Sequence, residues 1–169
     1  MTENRSIGIV LDIEGLEDRR AVRSALVGMI QKLESNTDDK VFVYNGVSTQ
    51  VPRHLGDSVA AIGNYVEPKG FNPETAIKGA LRAISAGQED NRRSLLYFVD
   101  HNSPFFCDRI RRVALFNDTN GVNADIHVFA MEEARTDDLN VACEGLNLWF
   151  VEDGERIESE QLMEAIDGT

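Results

Sequence analysis

The sequence predicts a three-layer α/β domain, in which a doubly wound, mostly parallel sheet carries helices on both faces and one antiparallel strand at its edge. Two observations lead there. Apolar runs of strand length alternate with amphipathic stretches of helical period along nearly the whole chain. Two of those runs, Ile7-Gly8-Ile9-Val10-Leu11 and Leu95-Leu96-Tyr97-Phe98-Val99, are apolar without alternation, the pattern of strands buried on both faces.

Each element has its own signal. Residues 7–13 read as the first strand. Over 19–35, Val22, Leu26, Met29, Ile30 and Leu33 recur at helical spacing until the polar Ser35-Asn36. Val41-Phe42-Val43-Tyr44 is the second strand. Asn45-Gly46 is a turn signal leading antiparallel into an edge segment near Thr49-Gln50-Val51, and Pro52 suits an edge, where a missing amide donor costs least. Val59, Ile62 and Val66 mark a short helix that Pro68-Lys69-Gly70 breaks. The next helix is the best specified, with Asn72 as N-cap, Pro73 at the first helical position, a stripe of Ile77, Ala80, Leu81 and Ile84, and Gly87 as the stop. Residues 94–100 are another buried strand, followed by a helix carrying Ile110, Val113 and Ala114. Ile126-His127-Val128-Phe129-Ala130 is a strand, 136–144 a short helix closed by Gly145, and Leu148-Trp149-Phe150-Val151 the last strand. Ser159 is placed to cap a C-terminal helix with Leu162, Met163 and Ile166.

A length of 169 residues suits one domain, taken here as 1–169, and neither an internal repeat nor a linker divides it. Seventeen basic against 29 acidic side chains give a net charge of −12, which opposes broad contact with a nucleic-acid backbone or an anionic membrane. No apolar run approaches the ~20 residues of a membrane span. The N-terminus enters a strand without the apolar stretch of a leader, so a cytoplasmic setting is the default expectation. Cys107 and Cys143 lie far apart, without zinc spacing or a disulfide framework, and are expected to be buried thiols.

In such a sheet, ligands bind beyond the carboxyl ends of the central strands, where strand order reverses. The first strand ends in Asp12 and Glu14, the strand over 94–100 ends in Asp100, and Thr75 lies in the first turn of the helix after Asn72. These four form the candidate site. His101 follows Asp100 onto the same face, whereas His54 and His127 are scattered, and His127 reads as a strand residue with a satisfied bond. Phe105 and Phe106 are adjacent at a helix start and cannot both face one core, so one is free to anchor a partner. Arg109, Arg111 and Arg112 on one helix read as a solvated face.

The order and spacing of these segments resemble the von Willebrand factor A family, whose fold is Rossmann-like. That family opens with an apolar strand ending in Asp-x-Ser-x-Ser, places a threonine at a helix start in a Gly-x-Thr-x-x-x-x-Ala-Leu-like segment, and closes the next central strand with aspartate. Ile9-Val10-Leu11-Asp12, Thr75-Ala76-Ile77-Lys78-Gly79-Ala80-Leu81 and Leu96-Tyr97-Phe98-Val99-Asp100 take those places, and Leu139 through Val151 and Leu162-Met163-Glu164-Ala165-Ile166 fit the family's tail. The resemblance implies a metal-ion-dependent adhesion site at Asp12, Glu14, Thr75 and Asp100. However, the two serine positions hold Glu14 and Leu16. Leucine cannot ligate, and three carboxylates would neutralise Mg²⁺ or Ca²⁺ and weaken its pull on an acidic partner group. A degenerate, metal-free site is therefore the leading expectation and a weak Mg²⁺ or Ca²⁺ site the alternative. In the metal-free state, Asp12 would cap the next helix or bond neighbouring amides, and Thr75 a carbonyl one turn back.

Enzyme readings compete for the same residues. Asp12-Ile13-Glu14 after a strand also resembles the first motif of exonucleases with three acidic residues, which would hold two metals with a later aspartate such as Asp108. Asp12-Ile13-Glu14-Gly15 resembles the nucleophile loop of haloacid-dehalogenase-type phosphatases. The exonuclease fold needs an antiparallel meander where 19–35 read as a helix. The phosphatase needs a lysine and an acidic pair at strand ends, whereas Asp137-Asp138 falls at a helix start. The expectation is thus a non-catalytic protein-interaction module without a cofactor, an adaptor or a component of a larger assembly, including one driven by a partner ATPase. Its contact face comprises Asp12, Glu14, Leu16, Phe71, Thr75, Asp100, His101, Asn102 and Phe105. A metal-dependent phosphodiesterase or phosphatase using Asp12 and Glu14 is the alternative.

Overall fold

The computed structural model describes residues 4–33, 38–44, 49–50, 72–86, 91–101, 106–131, 134, 137–151 and 156–168. Strand β1, Arg5–Asp12, is followed by helix α1, Leu16–Leu33, strand β2, Lys40–Tyr44, and a two-residue strand β3, Thr49–Gln50. Helix α2, Pro73–Ser85, leads to strand β4, Arg92–Val99, and helix α3, Phe106–Thr119. Strand β5, Asp125–Ala130, helix α4, Asp137–Ala142, strand β6, Asn147–Phe150, and helix α5, Ser159–Asp167, complete the order. The predicted helix at Val59–Val66, the Asn45-Gly46 turn, Pro52, His54, Phe71, Asn102 and Phe105 lie outside the described residues.

The strands form one sheet in the order β3-β2-β1-β4-β5-β6. β2, β1, β4, β5 and β6 run parallel, and β3 pairs antiparallel with β2 through Val43↔Gln50 and Tyr44↔Thr49. From β1 the chain moves outward to β2, and from β4 it moves outward the other way, so strand order reverses between β1 and β4. Register runs from Arg5↔Arg92 to Asp12↔Val99, which puts Asp12 and Asp100 side by side at the carboxyl end of that seam.

Two apolar layers hold the sheet. On one face, Val22, Leu26, Met29, Ile30 and Leu33 of α1 and Leu162, Ala165 and Ile166 of α5 cover Ile7, Ile9, Leu11, Leu96, Phe98 and Phe129. On the other, Ile77, Ala80, Leu81 and Ile84 of α2, Ile110 and Val113 of α3, and Leu139 of α4 cover Val10, Leu95, Tyr97, Val99 and Val128. Each fully buried aliphatic side chain contributes about 1.5–3 kcal/mol of transfer free energy, so these layers are the main source of stability. Gly8 lets α2 approach β1: a Cβ there would lie 3.0 Å from Leu95 Cδ1 and 3.3 Å from Ile84 Cγ2.

Several boundaries differ from expectation. α1 starts at Leu16 rather than near residue 19, because the Arg19 amide already bonds the Gly15 carbonyl (2.9 Å). The helix after Asn72 ends at Ser85, short of Gly87. Its cap is as expected, with Asn72 Oδ1 accepting from the Thr75 amide (3.3 Å). Ser159 is the first residue of α5 and not its cap. Glu158 holds the cap position, where its amide donates to Gln161 Oε1 (3.0 Å) and its carbonyl accepts the first helical bond. Ser159 Oγ instead accepts from Lys32 Nζ of α1 (3.0 Å). Both cysteines are free thiols, but only Cys143 is buried; Cys107 is half-buried in the first turn of α3, where the helix flank meets solvent.

Candidate functional site

Asp12, Glu14, Asp100 and His101 meet at the carboxyl ends of β1 and β4. Asp100 takes the role expected of Asp12. Its Oδ1 accepts from the Glu14 amide (2.9 Å) and its Oδ2 from the Gly15 amide (2.7 Å), so the turn into α1 is tied down from a neighbouring strand. Arg19 closes the same turn by donating from Nη2 to the Ile13 carbonyl (2.8 Å). Gly15 leaves the room this needs: a Cβ there would stand 2.9 Å from Asp100 Oδ2 and 3.3 Å from Asp18 Oδ2.

Among the described residues, Asp12 makes neither expected bond to backbone amides. It is 2% exposed, and its Oδ2 accepts from the Tyr97 hydroxyl at 2.5 Å. Register explains the pairing, because Tyr97 lies opposite Val10, diagonal to Asp12 on the same sheet face. Burial pushes the Asp12 carboxyl above its ordinary range, against the Tyr97 hydrogen bond and the nearby His101. Burial and the Asp12 charge push the Tyr97 hydroxyl well above its own, so this phenol stays a donor.

His101 completes the group. Its Nδ1 lies 3.1 Å from Asp100 Oδ1, its Nε2 3.4 Å from Asp12 Oδ1 and 3.9 Å from Glu14 Oε1. An imidazolium, donating through both nitrogens, suits three carboxylates better than either neutral tautomer. Burial opposes that charge, but the Asp100 hydrogen bond and the charges of Asp12, Glu14 and Asp100 outweigh it and raise the His101 pKa. Asp100 moves the other way: burial pushes it up, yet the Glu14 amide, His101 and the Gly15 amide together hold it below the ordinary carboxylate range.

These residues fit a divalent ion poorly. Both Asp100 oxygens are engaged by backbone amides, Asp12 Oδ2 by a phenol, and an imidazole sits among the three carboxylates. Leu16 supplies no oxygen. Thr75 is exposed at the start of α2 and, among the described residues, takes no part in this hydrogen-bonded group. Nucleophilic use of Asp12 is opposed by the same facts: its carboxylate is buried, and His101 and Tyr97 face its two oxygens.

The face these bonds support is exposed. The Glu14 side chain points to solvent, and Leu16 is 61% exposed on the first turn of α1. Phe106 is buried, with 6.3 Å between its ring centroid and that of Tyr97. Sequence reasoning missed Tyr97, Gly15 and Arg19. The signal for Tyr97 was a phenol inside an apolar strand, whose hydroxyl needs a buried acceptor. Away from the site, His127 is satisfied on one side only: its Nδ1 accepts from Trp149 Nε1 (3.1 Å), while Nε2 is buried without a partner, and burial lowers its pKa to about 4. A polar cleft lined by Asn117, Asp125 and Asn147 lies at the opposite end of the sheet, where β5 and β6 begin.

No protein-family model and no characterised protein sequence matches the chain. Solved structures do. The VWA domain of SpRpn10 superposes with a TM-score of 0.69 at 14% identity, over 95% of this chain and 94% of that one. A von Willebrand factor type A protein from Catenulispora acidiphila gives 0.61 at 11% identity, over 98% of this chain and 42% of that one. The open pilus adhesin SpaC from Lactobacillus rhamnosus GG gives 0.58 at 9%, over 99% of this chain and 29% of that one. The fold is therefore that of a von Willebrand factor A domain.

Proposed function

We propose that this chain is a non-catalytic protein-interaction module whose contact face is the loop cluster at the carboxyl end of the sheet. The observation that carries this reading is the preorganised turn Ile13–Leu16. Asp100 and Arg19 clamp its backbone, and it presents Leu16 to solvent at 61% exposure. A rigid loop offering an apolar side chain loses little conformational entropy on binding, which favours a protein contact. The adhesin among the similar structures supports contact-making as a use of this fold by analogy only.

In this reading the site works without a metal, His101 supplying the positive charge among Asp12, Glu14 and Asp100. Phe71, Thr75, Asn102 and Phe105 extend the face. The protein acts as an adaptor or as a component of a larger cytoplasmic assembly, including one worked by a partner ATPase. Affinity capture from the native cell tests it. A protein recovered with the wild type and lost with Leu16→Asp, but retained by Glu164→Lys on α5, supports this face. Equal recovery by all three proteins contradicts it.

A further inference from the structure

Helix α3 ends at Thr119, and the chain leaves it through Asn120 and Gly121, both exposed. Gly121 takes φ +66°, the left-handed conformation common after a helix, and nothing lies within 4 Å of where a Cβ would stand. Its amide reaches the Asp118 carbonyl at 3.4 Å, longer than the usual hydrogen bond. Asn120 Nδ2 donates to the Phe116 carbonyl (3.0 Å) and to Thr119 Oγ1 (3.3 Å), so its side chain caps the end of the helix. Both bonds are exposed and neutral, and water replaces such bonds at little cost.

The nitrogen that follows an asparagine decides whether its side-chain amide can be attacked from the backbone. Among the described residues, Asn120 stands apart in this respect. Asn4 precedes the Arg5 amide, which bonds Asp39 Oδ1 at 2.8 Å, and Asn91 precedes the Arg92 amide, which bonds the Asn4 carbonyl at 2.9 Å. Asn123 precedes the Ala124 amide, held by Asn117 Oδ1 at 3.0 Å, and Asn72 precedes a proline, which has no N–H. Asn117 and Asn140 are followed by residues inside α3 and α4, and Asn147 by Leu148 of β6, whose side chain crowds the approach. Gly121 has neither a short bond nor a Cβ.

We infer that Asn120-Gly121 is a site of self-modification in the folded chain, where Asn120 converts through a cyclic imide to aspartate and isoaspartate. The Gly121 nitrogen gives its proton to hydroxide and attacks Asn120 Cγ. The Cγ–Nδ2 bond then breaks, and ammonia leaves with a proton taken from water. A water molecule opens the resulting succinimide at either carbonyl, so the net change consumes one water and releases one ammonia, with no oxidation or reduction. The product carboxylate cannot donate to the Phe116 carbonyl, and it stands at a helix C-terminus, where the dipole disfavours negative charge, two residues after Asp118. Conversion therefore loosens the end of α3.

Peptide mapping by mass spectrometry tests this on the full chain incubated at mildly alkaline pH, folded and in urea, with fragment ions separating Asn120 from Asn117 and Asn123 and from the second Asn-Gly pair at Asn45. Circular dichroism confirms that each variant is folded. The inference expects amide-to-acid conversion at Asn120 in the folded chain, roughly tenfold faster than at the other described asparagines, and slowed to their level by Gly121→Ala. Asn120→Gln should abolish conversion at this position. Asn120→Asp, which installs the product, should lower the urea midpoint by about 0.3–1 M. Asn120 intact in the folded chain, conversion in urea only, a rate no higher than at the other described asparagines, or an Asn120→Asp midpoint equal to the wild type would overturn it.

Discussion

Replacing Asp100 with asparagine removes the charge that fixes the β1–α1 turn while keeping the side chain's shape. The carboxylate accepts from the Glu14 amide at 2.9 Å, the Gly15 amide at 2.7 Å and His101 Nδ1 at 3.1 Å. Asparagine has one acceptor oxygen, so one amide keeps a neutral bond and the other faces an NH₂ group. A hydrogen bond to a charged group contributes about 1.5–3 kcal/mol and a neutral one about 1 kcal/mol. Losing one charged bond outright and weakening a second therefore costs about 2–5 kcal/mol. Urea unfolding at pH 7 reads this directly. With a slope of about 2 kcal/mol per molar, the midpoint falls by about 1–2.5 M at unchanged slope. A midpoint within about 0.3 M of the wild type would refute the clamp, because no lost charged hydrogen bond is that small.

Three further outcomes follow from the same geometry. Gly15→Ala forces a Cβ to within 2.9 Å of Asp100 Oδ2, so it should cost about 1–3 kcal/mol in urea unfolding, and much less when Asp100 is already alanine and the opposing oxygen is gone. Tyr97→Phe strips the donor from buried Asp12 and raises its pKa further. The penalty, about 1–3 kcal/mol at neutral pH, should shrink as pH falls and Asp12 takes up a proton, and a penalty independent of pH would contradict the pairing. His101 has a folded pKa above its ordinary 6.5, so the stability from its charge is full below pH 6.5 and is lost as pH rises through the folded value. The gap in urea midpoint between wild type and His101→Gln should therefore close from pH 6 to pH 9, and a constant gap would show that His101 makes no charged contact.

The periodic parts of the fold were legible because each is specified locally. Val22 to Leu33 and Ile77 to Ile84 bury the faces their spacing requires, and Asn72-Pro73 starts α2 where it should. The start of α1 was not legible, since its cap comes from Asp100, 85 residues from Gly15, and Gly15-Leu16 carries no local cap signal. The cap of α5 was misplaced by one residue because serine outranks glutamate in propensity, whereas Gln161 settles the geometry by reaching back to Glu158. At the candidate site, the convergence of Asp12, Glu14 and Asp100 followed from strand order alone. Its internal wiring did not: which carboxylate takes the amides, and that Tyr97 and His101 share Asp12, depends on strand register.

The contact face itself is tested most directly by photo-crosslinking in the native cell from a reactive residue placed at Leu16, with one at Glu164 on α5 as the control. A discrete protein adduct from position 16, abolished by Glu14→Lys in the same chain and absent from position 164, is the predicted result. No adduct from position 16, or the same adduct from both positions, would contradict a binding surface at the carboxyl end of the sheet.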